Sequence, residues 1–241
     1  MFRNYFKTAL RNLSKNKLYS AINIFGLTMG LAACLLIGVY INNELSYDKF
    51  NKNADRIVRV TMEFKQAETV NEVATTGTKV GPQLKRTFPA IEAYVRTFIG
   101  SSIIKKGETI FDEPRVLYAD EPFFKVFSYK IIAGNAATAL DAPDKVVLTK
   151  SMAKKYFGDE QAVNKTLNVI GKEMTVSAVC EDAPENAQLK FDFVTQFLNL
   201  SNVKDENWWT ANWVTYFLLR DKNNISQLQQ QIHNYMQTPE V

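Results

Sequence analysis

Between Leu18 and Asn43 the chain carries no charged side chain, and no other feature constrains its folding as tightly. A helix over Ser20–Ile41 spans roughly 33 Å, against about 30 Å for the hydrocarbon layer of a bilayer. Ile22, Ile24, Phe25, Leu27, Leu31, Leu35, Leu36, Ile37, Val39 and Ile41 each favour insertion by about 0.3–0.6 kcal/mol. Their sum is on the order of 3–6 kcal/mol, which Ser20, Asn23 and Thr28 reduce without cancelling. The run predicts a transmembrane helix over residues 18–43.

Leu31-Ala32-Ala33-Cys34 also resembles the bacterial lipobox, where a signal peptide is cut before a cysteine that then carries lipid. Two observations oppose cleavage here. The apolar run continues through "LLIGVYI" after the cysteine, whereas a cleavage site closes an apolar region of roughly 7–15 residues. A lipid-bearing cysteine also leads into a polar tether, which this sequence does not supply. The uncut helix is the better reading.

Flanking charge orients it. Arg3, Lys7, Arg11, Lys15 and Lys17 precede the run with no acidic residue among them, and Glu44 and Asp48 follow it. Positive flanks stay in the cytoplasm, which places the N-terminus inside and the remainder outside. The net charge of +4 does not point to nucleic acid. Setting aside those five basic residues and Glu44 leaves 24 basic and 24 acidic residues in 45–241, so the excess belongs to an arm suited to anionic lipid headgroups. Within that arm Phe2, Tyr5, Phe6, Ala9, Leu10 and Leu13 recur at helical spacing between the cations. The pattern predicts an amphipathic basic helix over 1–17 that lies on the membrane surface.

Inside the membrane run, Gly26, Gly30, Cys34 and Gly38 fall at steps of four residues. They form a small-residue face that lets another helix approach closely.

The segment after the helix is long enough for a substantial core, and 46% hydrophobic content argues against disorder. Its pattern is mixed. Strands are expected at Arg56–Phe64, Ala93–Ile104, Pro114–Ala119, Val146–Leu148, Asp192–Phe197 and Val214–Arg220. A hairpin pairs Lys165–Ile170 with Glu173–Cys180 around Gly171-Lys172. Helices are expected at Thr78–Phe88, Glu121–Phe127, Lys150–Phe157 and Ile225–Met236, with Thr149 capping the third and Gly158 ending it. The fold class is α+β: one N-terminal transmembrane helix, then a domain over 44–241 with an α/β portion (55–104 and 184–241) and an inserted β-rich portion (105–183).

Signs of catalysis are sparse. Ser151–Lys154 and Ser201–Lys204 have the Ser-x-x-Lys spacing of penicillin-binding proteins, but the companion Lys-Thr-Gly is missing. No serine lies in a nucleophile elbow, and no P-loop is present. Asp112 and Glu113, like Glu181 and Asp182, read as solvated turn residues, and His233 as a surface residue. Two cysteines and one histidine cannot form a cysteine/histidine zinc site. With Cys34 in the membrane, Cys180 has no disulfide partner outside. No cofactor, metal or catalytic residue is expected.

Four blocks occur in order: "ELSYDKFNKNADRIVRV", "ADEPFFKVFSYKIIAG", "VVLTKSMAKKYFG" and "EDAPENAQLKFDF". Together they resemble the MacB-like periplasmic core domain of ABC transporter permeases in the MacB/LolC/FtsX superfamily. One departure is "AVNKTL", with Asn164 where the family has a glycine. The resemblance implies an inner-membrane permease subunit, N-terminus cytoplasmic and main domain periplasmic. Its implied partners are an ABC ATPase subunit, a second permease copy or homologue, and membrane lipids. It further implies that ATPase-driven motion of the membrane helices reaches the periplasmic domain, which moves or releases substrate. Family permeases carry further transmembrane helices, so the chain is expected to be the N-terminal portion of one. The alternative is a single-pass, membrane-anchored extracytoplasmic binding or regulatory module.

The uncut helix has a direct check. Intact mass after membrane extraction is expected to show an uncleaved N-terminus, and a diacylated species beginning at Cys34 would overturn the topology.

Overall fold

The structure, a computed structural model, describes residues 2–66, 69–169 and 171–238. It divides into two compact units, Met1–Tyr47 and Asp48–Val241. In the first, α1 (Phe2–Lys15) and α2 (Lys17–Ser46) are separated by Asn16, whose φ of −112° and ψ of 56° interrupt the helical path. α1 leaves Tyr5, Phe6, Leu10 and Leu13 exposed. α2 is long and apolar enough to cross a membrane and runs past the expected end at Asn43 by three residues. Within it the Thr28 hydroxyl donates to the Ile24 carbonyl at 2.7 Å, so this polar group is satisfied by the helix itself.

The second unit contains, in chain order, β1 (Ile57–Arg59), β2 (Met62–Gln66), β3 (Thr69–Val73), α3 (Val80–Thr87), β4 (Ile91–Lys106) and β5 (Thr109–Ala119). There follow α4 (Phe123–Val126), β6 (Ile131–Gly134), β7 (Lys145–Thr149), α5 (Lys150–Phe157), β8 (Thr166–Val169) and β9 (Lys172–Cys180). The last elements are β10 (Phe193–Gln196), β11 (Val214–Leu219) and α6 (Ile225–Tyr235). One mixed sheet has the order β1-β11-β4-β5-β10-β7-β9-β6, and β2–β3 is a separate hairpin. β8 pairs with both β9 and the far end of β4. Strands β4, β5, β10, β7, β9 and β8 therefore close into a six-stranded ring.

Pro114 is central to that closure. Gly100 lies opposite Val116, but Ser102 lies opposite Glu113, so Pro114 and Arg115 together face Ser101. Proline cannot donate to a ladder and is tolerated at such a bulge, which also bends the strand and increases its twist. Beyond the bulge, the far half of β4 pairs with β8 at Ile104 and Lys105. The tip of the β4–β5 hairpin is the two-residue turn Gly107-Glu108, with Gly107 at φ 58°.

Packing follows strand alternation. Ala93, Val95, Leu117, Val147, Val194 and Leu218 share a core with Phe123 and Phe127 of α4. On the opposite face of β11, Phe217 and Leu219 pack with Leu84 of α3 and Leu228 of α6. The ring has its own core, where Ile104, Val116, Leu148, Leu167 and Phe193 meet Tyr156 and Phe157 of α5.

The strand expected over Arg56–Phe64 is two strands. β1 pairs with β11 and β2 leaves to pair with β3. The β3 segment "TVNEV" is too polar to announce a strand. β5 begins at Thr109, five residues before the expected start. The hairpin around Gly171 is present as β8–β9; Ile170, in its expected first strand, lies outside the described residues. Thr149 caps α5, accepting from the Met152 amide, and Gly158 follows at φ 64°. The expected division at residue 105 falls inside β4, and the ring draws strands from both expected portions of the domain.

Arg96 and Asp120 form a buried ion pair where β4 passes from β11 to β5. Guanidinium Nη2 and Nε donate to Asp120 Oδ1 and Oδ2 at 2.7 and 2.9 Å, Nη1 donates to the Thr78 carbonyl at 3.0 Å, and the Arg96 amide donates to Asp120 Oδ2 at 2.7 Å. Arg96 Cζ lies 4.3 Å from the Phe197 ring centroid. Asp120→Ala strands a buried cation and is expected to cost about 3–5 kcal/mol. The check is the thermal midpoint of the detergent-solubilised chain, with Asp120→Asn as the milder comparison.

Candidate functional site

In the first unit the residues expected to matter lie on open surface. Arg3, Lys7, Arg11 and Lys15 recur every fourth residue along α1, and Lys17 opens α2; all are exposed. A Cβ built at Gly26, Gly30 or Gly38 would meet nothing within 4 Å, and Cys34 is exposed beside them. Among the described residues of the first unit nothing covers this face.

The second unit begins at a knot of hydrogen bonds. Asp48 has φ 56°, the left-handed region that Asp and Asn enter more readily than other residues with a Cβ. Its amide donates to the Asn186 carbonyl at 3.0 Å, and its Oδ1 accepts from the Gln188 amide at 3.0 Å. Asn51 is only 6% exposed. Its amide and Nδ2 both donate to the Asp48 carbonyl at 3.1 Å, and its Oδ1 accepts from the Ser128 amide at 2.9 Å. The Lys52 amide donates to Ser128 Oγ at 2.9 Å, and Asn53 Nδ2 to the Lys125 carbonyl at 3.3 Å. Phe50 meets Tyr129 edge to face with centroids 5.2 Å apart, and the Tyr129 hydroxyl donates to the Leu189 carbonyl at 2.6 Å. Burial, with the nearby Asp48 charge, raises that hydroxyl well above the ordinary phenol range.

A second set of bonds ties in α5. The Ser151 amide and hydroxyl donate to Asp182 at 3.2 and 2.8 Å, and the Thr149 amide donates to the Asp192 carbonyl at 3.0 Å. Asp192 accepts from Arg115 Nε and Nη2, both at 2.9 Å. The four blocks that carry the family resemblance thus meet in space through their loops. Residues 48–53 bond to 125–129 and 186–188, while 182 and 192 bond to 149–151. The sequence could not show this, because the blocks are far apart along the chain and the joining groups are ordinary Asp, Asn and Ser side chains.

This arrangement also places the catalytic suspects. The Ser151 hydroxyl donates to Asp182, and Lys154 is exposed one turn further along α5. Ser201 and Lys204 are exposed in the loop before β11. His233 is exposed on α6, its Nε2 3.0 Å from Gln237 Nε2. Among the described residues no three His, Cys, Asp or Glu side chains gather as metal ligands.

Three of the four acids read as turn residues have other roles. Glu113 lies on β5, 3% exposed, and accepts from Lys155 Nζ and the Tyr156 hydroxyl, each at 2.6 Å. The bulge at Pro114 turns it inward, which the polar run "FDEPR" conceals. Burial and that carboxylate raise the Tyr156 hydroxyl above its ordinary value. Asp112 is an exposed strand residue, and Asp182 accepts from the Ser151 amide and hydroxyl in the first turn of α5. Glu181 pairs with Lys130 at 2.7 Å on the surface.

A family model described as the MacB-like periplasmic core domain matches residues 20–235. No curated protein matches the chain. Among solved structures, a domain of a protein named as a permease in Porphyromonas gingivalis is 22% identical with a TM-score of 0.62. That alignment covers 75% of this chain and 83% of the other. The extracellular domain of the ABC-type transporter YknZ from Gram-positive bacteria is 14% identical with a TM-score of 0.52, over 71% and 88% of the two chains. At these identities the likeness is one of fold.

Cys180, buried on β9, carries a testable consequence. Burial pushes its thiol up to about 12. From the ordinary thiol value up to that point the unfolded chain loses a proton that the folded chain keeps, so this group lowers stability as pH rises through that window. In a Cys34→Ser chain at pH 8, Cys180 is expected to resist maleimide until the protein is unfolded. Mass spectrometry reads the adduct, and rapid native labelling would contradict the burial.

Proposed function

The chain belongs to the MacB-like periplasmic core domain family of ABC-transporter permeases, and from that premise we propose that it is the permease component that carries ATPase-driven motion across an inner membrane. In this reading α2 spans the bilayer, with the five cations of the N-terminal arm on the cytoplasmic side. The second unit stands in the periplasm, where it moves or releases substrate. ATP hydrolysis belongs to a partner ABC ATPase subunit. The Gly26–Gly30–Cys34–Gly38 face packs against a helix of a second permease copy or homologue, and α1 rests on anionic lipid.

One observation carries the reading. A helix able to cross a membrane leads directly into a unit whose sequence matches a periplasmic core domain, so membrane and outer functions lie on one polypeptide. The small-residue face supports helix association, because apolar lipid gives helices little reason to associate unless their backbones can approach closely.

The chain, affinity-tagged and purified from its native membranes, is expected to bring an ABC ATPase with it. Gly30→Ile is expected to lower helix–helix association about tenfold, read as energy transfer between labelled copies in vesicles. Purification without any ATPase, together with unchanged association in Gly30→Ile, would oppose the proposal.

A further inference from the structure

We infer that the outward face of the β4–β5 hairpin is a self-complementary contact through which the second units of two copies meet, with Ile103, Lys105, Ile110 and Asp112 at its centre. The inference rests on the second copy proposed above and adds a place on the second unit where the two chains touch.

Register sets the pattern. Ile103 lies opposite Asp112 and Lys105 opposite Ile110, and directly opposed residues project on the same side of a sheet. Burial identifies that side as the outer one. Ser102, Ile104 and Glu113 are buried, while Ile103, Lys105, Ile110 and Asp112 are all exposed. These residues make a square, with the isoleucines on one diagonal and the opposite charges on the other.

Scattered apolar side chains are ordinary on a surface, but this arrangement selects its occupant. A symmetric dimer presents the same patch from both chains, so that residue i meets j and j meets i. A two-fold axis laid along the Ile103–Ile110 diagonal sets each isoleucine against its own counterpart. The same rotation exchanges the other two corners, and Lys105 of each copy then faces Asp112 of the other. Laid along the charged diagonal instead, the axis would set lysine on lysine and aspartate on aspartate, a repulsive match. The favourable axis also turns the strands of the two copies roughly perpendicular, which is one of the two ways in which sheet faces pack.

The square is free to act in this way. Neither Lys105 nor Asp112 forms an ion pair among the described residues, and every residue from Lys105 to Ile110 is exposed. On the β8 side Lys105 lies opposite Asn168, whose Nδ2 donates to Glu173 at 3.1 Å. These groups give the apolar diagonal a polar border, as at the rim of an interface. So small a patch does not hold freely diffusing proteins together. It acts between chains anchored in one membrane, where effective concentration takes the place of area.

Disulfide trapping of the full chain in membrane vesicles tests this, in a Cys34→Ser background that leaves only the buried Cys180. Ile103→Cys and Ile110→Cys lie on the axis, and each is expected to cross-link to its own counterpart under mild oxidant. Lys105→Cys and Asp112→Cys lie off it. Each alone should cross-link about tenfold less, and the two chains co-expressed should recover the yield. Added to the Ile103→Cys chain, Lys105→Glu should lower cross-linking about tenfold, and Lys105→Glu with Asp112→Lys should restore it, which separates a lost contact from a misfolded chain. Cross-linking at Ile110→Cys without Ile103→Cys would mean edge-to-edge pairing of β5. None at either would mean that the face meets something other than its own copy. Both results overturn the inference. The unsubstituted chain, through Cys34, judges the reading beneath it. Cross-linking at Cys34 with none at Ile103→Cys or Ile110→Cys overturns this face alone, and none at any of the three overturns the second copy as well.

Discussion

Along one edge, β4 bonds β11 up to Thr97 and then β8 at Ile104 and Lys105; along the other it holds β5 from Thr97 to Lys106. Both partners thus lie along one edge of β4, and the β5 bulge falls between them. The Pro114 bulge supplies the bend, and the Arg96–Asp120 pair holds the strand at the crossing. Ring closure, the seat of α5 and the inward turn of Glu113 all depend on that geometry. Closing the ring also pairs strand edges that would otherwise be left open for association with other chains.

Three buried polar groups of the second unit fall at places where segments distant in sequence are joined. Arg96 links β4 to Asp120 and Thr78, Glu113 links β5 to α5, and Asn51 links the start of the unit to Ser128. Apolar contacts alone do not fix register between loops, because they are non-directional. Hydrogen bonds do, at the cost of requiring every partner to be in place. In a protein read as transmitting motion, such directional joints are physically useful.

Much of the architecture was legible because its signals are local. The long apolar helix follows from an uncharged run, α5 from a Thr cap and a Gly terminator, and the β8–β9 hairpin from a turn at Gly171 between alternating strands. Errors arose where the local signal was weak or pointed elsewhere. β3 is polar, the break between β1 and β2 depends on separate partners, and the start of β5 was hidden by "GETIFDE". Glu113 looked solvated because its neighbours are polar, yet it is buried and bonded to Lys155 and Tyr156 of α5. Among the candidate site residues, the small face of α2 and the cations of α1 were readable from spacing. The knot at Asp48 and Asn51 was not, since nothing in "SYDKFNKN" names Ser128 or Gln188 as partners.

The sequence by itself determined the properties that depend on near neighbours along the chain: an apolar segment of bilayer length, the charge asymmetry that flanks it, the helix caps and the alternation of each strand. It also held the four ordered blocks that mark the family. Tertiary structure alone decided which of those pieces meet. Pairing β4 with β8, burying Glu113 and joining 48–53 to two loops are long-range contacts. Their partners are selected by the packing of the whole sheet, and no local preference encodes that choice.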